Sequence, residues 1–147
     1  MSAPAIIQIA APFTWWGMVL AISGIEAPLK FRAPGITTAL GLGIGRLVFR
    51  ALNVAEFGCA GLATLALLLD PPHTGSGWPP ALLGTLWVVL LVQVSALRPV
   101  LDRRARLLIE GHESPASRMH LVYIALEAVK VVLLPALGIA CALAAFG

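Results

Sequence analysis

The chain has 147 residues, of which 59% are hydrophobic and only 12% charged, and its mean hydropathy is +0.93. So few charges cannot solvate the exterior of a water-soluble globule, which excludes an ordinary soluble domain. The net charge of +3 and pI near 9.4 do not indicate nucleic acid, because Lys and Arg cluster between apolar runs, where they serve as topology signals and lipid-headgroup contacts.

In chain order, the pattern predicts an all-α integral membrane protein, a bundle of four transmembrane helices in one domain. The first span covers residues 6–27, with Pro12 near its outer end, Trp15 and Trp16 two turns in, and Pro28 closing it. No Lys or Arg precedes this span and no small-residue cleavage site follows, so a retained helix rather than a signal peptide is expected. A basic loop over 28–44 carries Lys30, Arg32 and the turn pair Pro34-Gly35. Its Gly41-Leu42-Gly43-Ile44-Gly45 run lacks the strand that a dinucleotide fingerprint needs, and suggests a flexible helix entry.

The second span, 45–69, carries Arg46, Arg50, Asn53 and Glu56, and Asp70-Pro71-Pro72 stops it. A Gly/Pro loop from His73 to Pro80 leads to the third and plainest span, 81–97, which contains Trp87 and Gln93. Arg98, Arg103, Arg104 and Arg106, with Asp102, Glu110 and Glu113, then form a polar linker over 98–116, read first as solvated, with binding of anionic lipid headgroups as the sharper alternative. Ser114-Pro115 signals entry to the fourth span, 117–146, in which Pro135 predicts a kink. The positive-inside rule places both basic loops in the cytoplasm and both termini outside, in the plasma membrane of a bacterium, with Lys130 standing apart from the pattern.

Ionisable side chains at mid-membrane cost several kcal/mol unless paired, so their depth and phase are informative. At about 1.5 Å per residue, Glu56 lies roughly 15 Å beyond Arg46, and Glu127 and Lys130 roughly 14 and 18 Å beyond Arg118. His120, Tyr123, Glu127, Lys130 and Leu134 share one helical stripe, and Arg46, Arg50, Asn53 and Glu56 or Phe57 form a matching one. An ion pair between Glu56 and Lys130, completed by Glu127, is the economical arrangement. Glu26 is expected at the depth of His120, where the two form a candidate proton or metal site. The plainer expectation is that these pairs lock the helices together. Trp15, Trp16, Trp78 and Trp87 suggest headgroup-level belts. Cys59 and Cys141 fall at different depths, so no disulfide is expected between them. No haem-attachment, zinc or CxxC spacing appears, and no cofactor can be assigned.

Trp16-Gly17, the Ala27-Pro28-Leu29-Lys30-Phe31 exit, the run from Gly45 to Asn53 and Arg118-Met119-His120 resemble a family of small bacterial membrane proteins of unknown function. That family is related to the eukaryotic transmembrane protein two-hundred-and-five, linked to platinum-drug resistance. The resemblance implies a four-helix bundle, with export or stress resistance as a loose association. Glu26, Glu127 and Lys130 lie outside its pattern.

Three functions compete. The first is a proton- or cation-linked transport module, which needs a homo-oligomer because one four-helix chain encloses little. The second is a non-catalytic accessory subunit of a larger respiratory or photosynthetic membrane complex. The third, a membrane enzyme acting on a lipid or isoprenoid, ranks last because no catalytic constellation is visible.

Overall fold

A computed structural model describes residues 1–71, 77–113 and 118–146. It contains four helices long and apolar enough to cross a membrane: α1 (Ala3–Arg32), α2 (Thr38–Leu69), α3 (Trp78–Ile109) and α4 (Arg118–Phe146). No strand occurs among the described residues. Successive helices run antiparallel, so both chain ends share one end of the bundle, where Met1, Ser2, Asp70, Pro71, Ala144 and Ala145 line a common cleft. The basic residues of the α1–α2 connection and of the end of α3 occupy the other.

All four helices are 29 to 32 residues long, beyond the roughly 20 that a bilayer core requires. The excess corrects three expected boundaries. Pro28 does not close α1, which continues through it to a final tight turn at Lys30–Arg32. The glycine run is not a loose entry: α2 starts at Thr38, whose preceding Thr37 caps it by accepting from the Leu40 amide at 3.2 Å. The linker after the third span is largely helical, since Arg98–Ile109 extends α3 until Gly111, at φ 83°, ends it in the left-handed conformation that glycine tolerates. The Ser114-Pro115 entry signal lies outside the described residues.

Proline sets the local irregularities. A proline removes one amide and crowds the carbonyl four residues earlier. Pro28 and Pro99 stand four residues after Gly24 and Ser95, and α1 and α3 widen there into π-helical turns at Leu20–Glu26 and Gln93–Leu97. In both turns the hydrogen bonds reach back five residues, from the Ala27 amide to the Ile22 carbonyl and from the Arg98 amide to the Gln93 carbonyl. Pro135 acts differently. It leaves the Val131 carbonyl of α4 without its helical donor, and Trp16 Nε1 of α1 donates to that oxygen at 2.9 Å, within an uninterrupted α-helix.

The core runs along the bundle axis through Ala11, Trp15 and Val19 of α1, Ala60 and Ala63 of α2, Leu83, Leu86 and Leu90 of α3, and Leu134, Leu137 and Cys141 of α4. Small residues let α1 approach both neighbours closely. A Cβ on Gly138 would come within 2.6 Å of the Phe13 ring, which lies directly over the bare glycine. Gly41 does the same for the basic connection, where a Cβ would meet the Phe31 ring at 2.3 Å. Outward-facing Leu47, Leu68, Val132 and Leu143 are exposed, an outer surface suited to lipid and not to water. Cys59 and Cys141 are both free thiols.

Candidate functional site

The polar centre of the bundle is built by all four helices. Glu56 of α2 and Lys130 of α4 are each 0% exposed, and the Lys130 ammonium donates to Glu56 Oε1. The same ammonium reaches Glu127 Oε1 at 2.9 Å, one turn away on α4. α1 contributes Trp15, whose Nε1 donates to Glu56 Oε1 at 2.8 Å. Glu127 takes two further donors, Gln93 Nε2 of α3 at 2.9 Å on Oε1 and Ser23 Oγ of α1 at 3.0 Å on Oε2. Ser23 and Gln93 sit in the two π-helical turns. Both irregular turns therefore deliver a polar side chain to one carboxylate.

Two carboxylates share one ammonium in this cluster, so with every group ionised it holds one excess negative charge. Its hydrogen bonding is also incomplete. Glu56 Oε2 and Gln93 Oε1 are buried and have no partner among the described residues, and the buried Tyr123 side chain lies one turn from Glu127 toward the basic end. A lone lock between two helices needs only complementary charges, whereas this cluster has one carboxylate more than it has cations.

A layer of cations and rings covers the cluster on its basic side. Phe49 stands at its centre, with Lys30 Nζ 5.6 Å and Arg98 Cζ 5.7 Å from its ring centroid and the Tyr123 ring edge-on at 5.9 Å. Lys30 also pairs with Glu26 at 3.2 Å. At the opposite end, Gln8 Nε2 donates to the carbonyls of Ala66 at 3.0 Å and Asp70 at 2.6 Å, tying α1 to the end of α2.

No protein-family model, curated protein or solved structure matches this chain. The site must be judged on its own chemistry.

Of the residues expected to form the seam, Glu56, Glu127 and Lys130 do meet, and Tyr123 is buried beside them. The rest divide. His120 is exposed and Glu26 pairs with Lys30, so this candidate proton or metal site is not assembled. No cluster of three metal-ligating side chains occurs among the described residues. Arg46, Arg50 and Asn53 turn toward α3 rather than α4, and line a groove there. Arg46 and Arg98 both approach Asp102, at 3.6 and 3.9 Å, and Arg98 Nη2 donates to the Arg46 carbonyl at 2.9 Å. The α2 stripe fails because the interior phase runs through Gly45, Leu52, Glu56 and Ala60, which places Arg46 and Arg50 to one side.

Trp15, Ser23 and Gln93 belong to the site yet carry no charge that would have marked them. Trp16 and Trp87 are interior hydrogen-bond donors as well, Trp87 Nε1 reaching Thr64 Oγ1 at 3.0 Å, and only Trp78 is largely exposed. The useful signal was the prolines: Pro28 and Pro99 each follow a polar residue by five or six positions, which places Ser23 and Gln93 in a widened turn.

Proposed function

We propose that this protein is a proton-linked transport module of a plasma membrane, working as an oligomer, in which the cluster of Glu56, Glu127 and Lys130 takes up and releases one proton. The observation behind this reading is the sharing of one buried ammonium by two buried carboxylates. In a low-dielectric interior one added proton neutralises the cluster, so loading and unloading it changes the charge carried at mid-bundle by one unit. Glu127 is the exchanging group, because its donors Ser23 and Gln93 come from widened turns whose hydrogen bonds are easily rearranged. The positive-inside rule orients the basic end to the cytoplasm, so the Phe49 layer with Lys30, Arg98 and Tyr123 stands between the cluster and that compartment.

Purified protein reconstituted into liposomes with an internal pH-sensitive dye provides the test. A pH gradient should dissipate faster than in empty liposomes, and Glu127→Gln should return the rate to that of empty liposomes while leaving the helical circular dichroism unchanged. Equal rates in native and Glu127→Gln vesicles would overturn the proposal. The complete burial of the cluster equally suits a static joint in a non-catalytic accessory subunit of a larger membrane complex. For that second reading, gentle-detergent purification should yield a stoichiometric larger partner.

A further inference from the structure

A second feature lies apart from the ion cluster. Along the flank where α2 and the basic half of α3 pass each other, a groove of about 950 Å³ opens to the surface. Its inner length is apolar, formed by Val54, Phe57 and Val94, and exposure of 69% at Val54 leaves it accessible from the side. Its basic end is lined by Arg46, Arg50, Arg98 and Arg106 against Asp102 as the one acidic side chain in the lining. Asp102 engages Arg46 and Arg98, while Arg50 and Arg106 have no ion-pair partner among the described residues. Asn53, one turn below Arg50, is only 7% exposed and lines the groove with a buried side-chain oxygen that no donor reaches among the described residues.

We propose that this groove binds an anionic glycerophospholipid, such as phosphatidylglycerol. One acyl chain lies along Val54, Phe57 and Val94, the phosphate is held at the level of Arg50, and Arg106 adds attraction at the mouth. The charge pattern selects the occupant: an apolar trough ending in uncompensated guanidinium groups complements an amphiphile with an anionic head, and guanidinium binds phosphate in a fork that an ammonium cannot reproduce. A zwitterionic lipid would bring its own cation into the arginine cluster, where it offsets the attraction of the phosphate. The site uses no residue of the ion cluster, so it stands whether or not the cluster exchanges protons.

Native mass spectrometry tests this on full-length protein released from bilayers of equal phosphatidylglycerol and phosphatidylcholine. Phosphatidylglycerol should be retained preferentially. Arg50→Gln and Arg106→Gln should each lower that preference about fivefold, and Val94→Trp, which fills the trough, should abolish retention of both lipids at this site. Thermal unfolding of each variant in lipid-free detergent checks the fold. Equal retention of the two lipids by the native protein would overturn the proposal. So would a phosphatidylglycerol preference that survives both arginine substitutions in folded protein.

Discussion

Lys130 is the residue on which the interior depends. Its ammonium bonds to both Glu56 and Glu127, and none of these groups has water to fall back on. Lys130→Met would leave two carboxylates facing each other without a cation, and breaking a buried pair in this way costs about 3–5 kcal/mol. The thermal midpoint of the detergent-solubilised protein should fall accordingly. Glu127→Gln removes the excess charge, keeps Lys130 on Glu56 and leaves an amide that still accepts from Gln93 or Ser23, so its effect on the same midpoint should be far smaller. Equal losses in the two variants would contradict the count of one unbalanced charge. Helical phase was enough to bring Glu56, Glu127 and Lys130 together from the sequence, because burying an ionisable group without a partner is too costly to leave many arrangements. It was not enough for Trp15, Ser23 and Gln93. Neutral polar groups carry a smaller burial penalty, so their positions constrain the fold less.

Among elements, the two π-helical turns tie backbone irregularity to the site. Pro99→Ala restores the missing amide and lets Gln93–Leu97 relax to an α-helix, which rotates the residues on either side by about 100° relative to one another. Gln93 would then leave Glu127, with an expected loss of about 1.5–3 kcal/mol for a hydrogen bond to a charged group. Pro80→Ala, in the first turn of α3 where no helical amide bond is lost, should change the unfolding midpoint little. The basic connection offers a separate check. Gly41→Val would drive its side chain into the Phe31 ring and lower stability, and Phe31→Ala in the same protein should recover most of the loss. Recovery by Phe31→Ala would show that the glycine serves close packing, not helix flexibility. Sequence periodicity located all four helices within a turn or so at their apolar boundaries. It cut α1, α2 and α3 short at their basic ends, since hydropathy reports where apolar residues stop and not where backbone hydrogen bonding stops.

For the molecule as a whole, the antiparallel order places both termini opposite the basic end. With Cys59 and Cys141 replaced by Ala, a cysteine at Ala3 should react with a membrane-impermeant maleimide on intact spheroplasts, and one at Ala33 should react only after lysis; the reverse pattern would invert the orientation. Composition alone determined that the chain is helical, apolar and four times long enough to cross a bilayer, because a lipid-facing backbone has to satisfy its hydrogen bonds within each segment. Burial cost then determined that the mid-helix charges face one another. The tertiary structure decided which neutral donors complete the cluster, and that Arg46 and Arg50 leave the α4-facing seam for a groove beside α3. Those outcomes depend on proline-widened turns and on how far each helix is rotated against its neighbours. Neither quantity is a property of one segment, so neither is written in the hydropathy of any one helix.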